Sequence, residues 1–117
     1  MGLILWIDQN TFATDLLEKV FKKKNLNFYT VSSAENFVYL VDDLRPELIV
    51  LDSATAVASL AALKQQYQAS ELLQGLPIIL LEEASELSFL GNVIGKIDRP
   101  FDPFQIPEKI QRLLTTN

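Results

Sequence analysis

The sequence predicts one doubly wound α/β domain, covering residues 1–117, built on a five-stranded parallel sheet. Its length of 117 residues suits one compact domain and is too short for two. Short apolar runs alternate with helical patterns along the chain, which is the order expected of a parallel sheet with crossover helices. The runs are apolar throughout, as in strands buried on both faces. Right-handed crossovers then place helices on both sides of the sheet.

The first half of the chain predicts three strands. They fall at 3–7, 27–32 and 47–52, where apolar and β-branched residues dominate. The helix after the first strand carries its apolar residues on one stripe, made of Phe12, Leu16, Leu17, Val20 and Phe21. Asn25 is predicted to end this helix in the left-handed conformation.

The second helix is predicted to begin with a capping box and to end before Pro46. Ser32 and Glu35 have the spacing of such a box. The apolar face of this helix consists of Phe37, Leu40, Val41 and Leu44.

The second half predicts a long helix over 56–73, which is rich in Ala, Leu and Gln. Strands follow at 76–82 and 92–97, with a short helix at 84–90 between them.

The start of the last helix stays open, although its end falls near Leu114. Asp102 and Pro103 have the pattern of a cap followed by proline at the first helical position. Pro107 would then lie inside the helix, where proline removes a hydrogen bond. A start near Pro107 is the alternative.

Composition excludes several classes of function. A net charge of −5 and a pI near 4.6 argue against nucleic acid as a partner, and the run Lys22–Lys24 is interpreted as the basic end of a helix. The chain has no cysteine and no histidine, which excludes disulfides, thiolate nucleophiles and histidine bases. No apolar run is long enough to span a membrane, and the N-terminus lacks a signal-peptide pattern. We expect a cytoplasmic protein that contacts neither nucleic acid nor membrane.

Charged residues follow four of the predicted strands. Asp8, Asp52 and Glu82 end strands one, three and four, and Arg99 follows strand five. In a sheet of order 2-1-3-4-5 these positions converge at the carboxyl edge, where doubly wound sheets bind ligands. Converging carboxylates repel each other and need a cation, a proton or an arginine nearby. Each aspartate alone is explained as a helix cap, but Asp8 and Asp52 together with Arg99 favour a site.

Four segments resemble the response-regulator receiver domain of bacterial two-component systems: LILWIDQN, PELIVLDS, LPIILLE and IDRPF. The resemblance covers essentially the whole chain. It implies the CheY-like, flavodoxin-like fold with three α/β/α layers and a non-enzymatic role in phosphorelay signalling. The implied partner is a histidine kinase or another signalling protein, and a homodimer through the last strand and helix is compatible with it.

The resemblance also implies roles for single residues. In receivers the aspartate that ends strand three accepts a phosphoryl group, and that position is Asp52. Acids that end strand one hold Mg²⁺ there; Asp8 matches the first of them, and the backbone carbonyl of Ala54 would add a ligand. The lysine that contacts the phosphoryl group corresponds to Arg99, and the peptide bond before Pro100 is expected to be cis.

Departures from the receiver pattern are equally specific. Gln9 replaces the second acid of strand one and offsets no metal charge. Glu82 replaces the Ser or Thr that binds the phosphoryl group, and would repel a group carrying roughly −1.5 to −2 charges. Arg99 is bulkier and forked compared with lysine. Lys96 stands where receivers usually have an aromatic switch residue. The segment 82–99 is shorter than the same segment of receivers by about one helical turn.

Two functions therefore stay open. One is a phosphorylatable receiver, with Asp52 as acceptor and Mg²⁺ as cofactor. The other is a phosphorylation-independent pseudo-receiver, held in one conformation by Arg99 paired with Glu82, with Asp52, or with both. A flavodoxin-like binder of nucleotide or flavin is disfavoured, because no glycine-rich loop follows strand one.

Overall fold

The sheet has five parallel strands in the order β2-β1-β3-β4-β5, which confirms the predicted topology. The computed structural model describes residues 2–116. The strands are β1 (Ile4–Ile7), β2 (Phe28–Val31), β3 (Leu48–Asp52), β4 (Ile78–Leu81) and β5 (Val93–Ile97). Each lies inside the range that the sequence predicts.

Helices cover both faces of the sheet. They are α1 (Thr11–Lys23), α2 (Phe37–Leu44), α3 (Ser53–Ala58), α4 (Leu60–Ala69), α5 (Glu71–Gly75) and α6 (Ile106–Thr116), with 3₁₀ turns at Ser85–Leu87 and Pro103–Gln105. Within residues 2–116, no helix is both long enough and apolar enough to cross a lipid bilayer.

The central strands are buried on both faces, as their apolar runs predict. One core lies between the sheet and α2–α5, where Leu5, Ile49 and Leu80 point inward. The other lies under α1 and α6 and contains Trp6 and Val50 among its buried residues. The edge strands β2 and β5 are only partly buried. This layering fixes the carboxyl ends of β1, β3 and β4 side by side.

The apolar stripe predicted for α1 is partly wrong. Leu17 and Phe21 are fully buried, but Phe12 is 87% exposed and Leu16 is 40% exposed. Thr14, which lies three residues before Leu17 on the helix, occupies the core-facing position instead. The predicted end of this helix is correct in its geometry, because the next residues include Asn25 with φ 56°.

The capping box predicted for α2 does not form. The N-cap of α2 is Asn36, which makes no side-chain capping bond. The N–H of Val38 instead donates to the side chain of Gln66 on α4 at 2.9 Å. A partner distant in sequence thus satisfies this helix end, and Ser32 and Glu35 are not needed there.

The long helix predicted over 56–73 is three short ones, and the first starts earlier, at Ser53. Ser59 and Ser70 interrupt the run with non-helical backbone, at φ −122° and −124°, and only Ser70 is fully extended. The Ser70 hydroxyl accepts the N–H of Leu73 at 3.1 Å and caps α5. Serine side chains compete with helical hydrogen bonds in this way.

The connection from β4 to β5 contains a 3₁₀ turn where a short helix was predicted. The hydroxyl of Tyr67 on α4 donates to the side chain of Asn92 at 2.5 Å and accepts the N–H of Gly91 at 2.9 Å. The amide of Asn92 also donates to the carbonyl of Leu73 at 2.9 Å. These bonds attach the shortened connection to the helices beside it.

Both predicted starts of the last helix contribute to the structure. Asp102 accepts the N–H of Phe104 at 3.0 Å and caps a 3₁₀ turn. The α-helix itself begins at Ile106, so Pro107 lies in its first turn, where an N–H has no helical partner to lose.

Two phenylalanines on α1 test the assigned core. Phe21→Ala should lower the free energy of unfolding by about 3–5 kcal/mol, because this buried ring also stacks on Phe28 at 4.7 Å between centroids. Phe12→Ala is the matched control and should change it by less than about 0.5 kcal/mol. Urea denaturation measures both, and equal losses would show that the faces of α1 are wrongly assigned.

Candidate functional site

The candidate site lies at the carboxyl edge of the sheet and joins three of its strands. Asp8 directly follows β1 and Asp52 is the last residue of β3. Because Ile7 pairs with Leu51 in register, the two aspartates stand next to each other. They are only 1% and 3% exposed. The structure therefore brings together the two carboxylates as the sequence predicts.

Arg99, two residues beyond β5, lies between these carboxylates. Its Nη1 donates to Oδ1 of Asp52 at 2.5 Å, and its Nη2 donates to Oδ2 of Asp8 at 2.8 Å. The side chain is 28% exposed, and its guanidinium carbon lies 5.9 Å from the centroid of the Phe101 ring. The peptide bond from Arg99 to Pro100 is cis. One forked cation thus bridges the ends of β1 and β3.

The charge of Arg99 is stabilised by this position. Partial burial acts to lower the pKa of Arg99, but the hydrogen bond to Asp52 and the charges of Asp8, Asp52 and Glu82 outweigh it, so the pKa is raised. A raised pKa means that the stabilising charge is complete below the ordinary arginine pKa and is lost only above the raised one. Arg99 therefore stays protonated at every pH at which proteins are normally studied.

The carboxylate of Asp52 has two functions, because its second oxygen caps α3. Oδ2 accepts the backbone N–H of Thr55 at 3.0 Å and the Thr55 hydroxyl at 2.6 Å. The explanation of Asp52 as a helix cap is therefore correct. The cap and the ion pair coexist, because Oδ2 caps α3 while Oδ1 binds Arg99.

Thr55 is a residue of the site that sequence reasoning missed. It is buried, and its hydroxyl oxygen accepts the backbone N–H of Gln9 at 2.9 Å while its proton goes to Asp52. Thr55 thereby connects the end of β3 to the loop after β1. The capping rule could have identified it, because an N-cap aspartate bonds to the residue three positions later.

Asp8 is held by its own loop as well as by Arg99. Its Oδ1 accepts the N–H of Asn10 at 3.0 Å, and Asn10 in turn caps α1 by accepting the N–H of Ala13 at 3.3 Å. The indole N–H of Trp6 donates to Oδ2 of Asp8 at 3.4 Å. The orientation of this carboxylate is therefore fixed from both sides.

Of the two partners predicted for Arg99, Asp52 is confirmed, whereas the ion pair with Glu82 is wrong. Glu82 is exposed and has a left-handed backbone, with φ 69°. The Ser53 hydroxyl donates to its backbone carbonyl, and its own N–H donates to the carbonyl of Ile97 at 3.1 Å. The fork of Arg99 is already taken by two buried carboxylates, so Glu82 acts on it only through its charge.

Three other predicted positions take no part in the network through their side chains. Gln9 contributes its backbone N–H, and its side chain is exposed. Ala54 lies in the first turn of α3, where the helical pattern pairs its carbonyl with the N–H four residues later. Lys96 lies on the surface with Glu83 and Asp98, at 3.7 and 3.8 Å.

The residues as they are arranged do not fit Mg²⁺, which the resemblance implies. This ion needs an octahedral shell of oxygen ligands, usually with one or two carboxylates free to bind it. Here the facing oxygens of Asp8 and Asp52 are bonded to Arg99. In the described part of the chain, no three acidic, histidine or cysteine side chains group closely enough to hold a metal ion.

The structure of this chain is similar to solved structures of response regulators. The chain superposes on a response regulator from Desulfuromonas acetoxidans with a TM-score of 0.79 and 18% identity, covering 99% of this chain and 98% of that one. For the chemotaxis response regulator CheY4 of Vibrio cholerae the values are 0.76 and 17%, with 97% and 98% covered. For a receiver-modulated diguanylate cyclase from Pelobacter carbinolicus they are 0.71 and 20%, with 99% and 94% covered.

Neither the protein-family models nor the curated proteins searched contain a match to this chain. At identities of 17–20%, the structural likeness establishes the fold. The resemblance drawn from the sequence is confirmed at that level: this is a CheY-like receiver fold over nearly the whole chain.

Removing Arg99 should destabilise the fold strongly. Arg99→Ala leaves two buried carboxylates without a counter-ion, which typically costs 3–5 kcal/mol; about 3 kcal/mol is expected here, because Arg99 keeps some exposure. Arg99→Lys keeps the charge but not the fork, so its loss should be smaller. Urea denaturation compares the two variants, and an Arg99→Ala protein as stable as the wild type would contradict the bridge.

The hydroxyl of Thr55 should matter more than its methyl group. Thr55→Val removes the hydroxyl bond to Oδ2 of Asp52, which keeps only the backbone N–H of residue 55, and leaves the N–H of Gln9 without a partner. It should cost about 1–3 kcal/mol. Thr55→Ser keeps the hydroxyl and should lose clearly less. The same denaturation assay measures both. A Val variant that is no less stable than the Ser variant would rule out the bridging role.

Proposed function

We propose that this chain is a receiver-fold signalling module that acts by binding another protein and does not accept a phosphoryl group. The observation that carries the proposal is the Arg99 fork, with its two hydrogen bonds to Asp52 and Asp8. A receiver fold supports a signalling role, and the occupied carboxylates argue against phosphotransfer.

Asp52 is poorly prepared to act as a nucleophile. Attack on phosphorus needs a carboxylate oxygen that can reach the phosphoryl group, and a cation that neutralises the charge gathering on the transferred oxygens. Oδ1 of Asp52 is bonded to Arg99 and Oδ2 to Thr55. Phosphorylation would break the ion pair, the helix cap, or both.

The cleft beside Asp52 is also unfavourable for an anion. Its lining includes Glu82, Glu83 and Glu86 as well as Asp52, and Arg99 is the one basic residue among the described residues that line it. A phosphoryl group brings about −1.5 to −2 further charges. The electrostatic field at the mouth of the cleft therefore opposes a phosphodonor.

Two exposed aromatic side chains form a candidate surface for binding another protein. Phe12 is 87% exposed and Phe104 is 65% exposed. They lie on α1 and on the 3₁₀ turn before α6, which pack against each other near the carboxyl edge of the sheet. Exposed apolar side chains of this size favour protein contacts.

The proposed partner is another signalling protein, such as a histidine kinase, and the two would bind in the cytoplasm. The chain itself would catalyse no reaction. A homodimer through β5 and α6 stays a prediction. The alternative function is a phosphorylatable receiver, which the position of Asp52 at the end of β3 favours.

Intact mass spectrometry separates the two functions. The wild-type protein is incubated with Mg²⁺ and acetyl phosphate or phosphoramidate, beside an Asp52→Asn control and a phosphorylatable receiver domain as positive control. We expect no phosphoryl adduct on the wild type while the positive control is modified. An adduct on the wild type that Asp52→Asn abolishes would overturn the proposal and establish the alternative.

A further inference from the structure

We infer that Arg99 is a cation built into the chain that excludes divalent metal ions from the Asp8–Asp52 pair. The inference rests on the proposed function, because it concerns the same site. It goes further by stating what keeps the site closed: one side chain of the protein occupies the place of a cation between two buried carboxylates.

The geometry of the pair supports this role for Arg99. Oδ2 of Asp8 and Oδ1 of Asp52 come from adjacent strands and face a single guanidinium, at 2.8 and 2.5 Å. A divalent ion between these carboxylates would need the same two oxygens. It would also be repelled by the guanidinium, which has no lone pair to offer a metal.

The covalent attachment of Arg99 gives it an advantage over free ions. A free metal ion must be recruited from solution and must give up part of its water shell, and Mg²⁺ does so reluctantly. Arg99 is always present at high local concentration because the chain holds it beside the pair. Its place over the Phe101 ring further restricts where it can go.

Without Arg99, the pair would become a metal site. Asp8 would keep its bonds from Asn10 and Trp6, and Asp52 would keep those from Thr55. The carboxylates would stay preorganised, and their facing oxygens would lack a counter-charge. Hard divalent cations prefer such oxygens, and two carboxylates completed by water are a usual Mg²⁺ shell.

The protein contains a natural reporter for this site. Trp6 is the one tryptophan in the sequence. It is fully buried, and its indole N–H donates to Oδ2 of Asp8 at 3.4 Å. An ion bound to Asp8 would change the surroundings of this indole, and Mn²⁺, which is paramagnetic and accepts similar oxygen ligands, would quench its fluorescence.

The test is a titration of Mn²⁺ followed by tryptophan fluorescence, with Mg²⁺ as competitor. We expect Arg99→Ala to show saturable quenching that Mg²⁺ reverses. Its affinity for Mn²⁺ should be at least about tenfold higher than that of the wild type, which corresponds to about 1.4 kcal/mol of binding free energy. The double variant Asp8→Asn/Arg99→Ala is the matched control and should lose the response.

Two outcomes would overturn the inference. One is wild-type protein that binds Mn²⁺ as tightly as Arg99→Ala, and the other is a folded Arg99→Ala protein with no response. Circular dichroism verifies folding, and Arg99→Gln, which is neutral but nearly as long, is the second variant. If neither variant folds, saturable Mn²⁺ binding by the wild type overturns the inference, and its absence together with refolding of a variant on adding Mn²⁺ supports it.

This experiment fails separately from the phosphorylation test. Wild-type protein that binds Mn²⁺ but forms no phosphoryl adduct would overturn the exclusion of metal and leave the proposed function in place. Wild-type protein that forms the adduct without binding Mn²⁺ would overturn the proposed function and leave the role of Arg99 in place.

Discussion

Two carboxylates that are buried at the ends of adjacent strands require a positive charge between them, and Arg99 supplies it from the loop after the edge strand. Asp8 and Asp52 belong to neighbouring strands, so their charges cannot move apart without separating the sheet. The side chain of Arg99 must extend past the end of β4 to reach them, because β4 lies between β3 and β5. One side chain thus ties the far edge of the sheet to its centre and fixes the loop that leads into α6.

The same interaction determines what the carboxyl edge can bind. In doubly wound sheets, the loops at this edge usually contact a ligand. Here the loop after β1 donates an N–H to Thr55, Thr55 donates to Asp52, and Asp52 binds Arg99 from the loop after β5. The polar groups that would hold a ligand are bonded to one another. A network whose members are all satisfied is rigid and costly to open.

The strands, their order and the convergence of Asp8, Asp52 and Arg99 could be predicted from sequence, because apolar runs and strand ends are local features with global consequences. The choice between Asp52 and Glu82 as the partner of Arg99 could not be predicted, because Glu82 leaves the sheet with a left-handed backbone that no local sequence pattern indicates. The N-terminus of α2 is satisfied by Gln66, which is 28 residues away from Val38 and invisible to a local capping rule. The role of Thr55 could have been predicted, because an aspartate N-cap at position 52 bonds to residue 55.

The connection between β4 and β5 is attached to its surroundings at both ends and in its middle. A segment that changes conformation needs few ties to its surroundings. This one is bonded at its start, where the carbonyl of Glu82 accepts from Ser53, and at its end, where Asn92 bonds to Tyr67. Between them, the ring of Phe89 packs edge-on against Tyr67, with centroids 5.6 Å apart. Rearranging the segment would break all of these contacts, whereas presenting it unchanged to a partner costs none of them. These contacts therefore favour a single conformation of this connection.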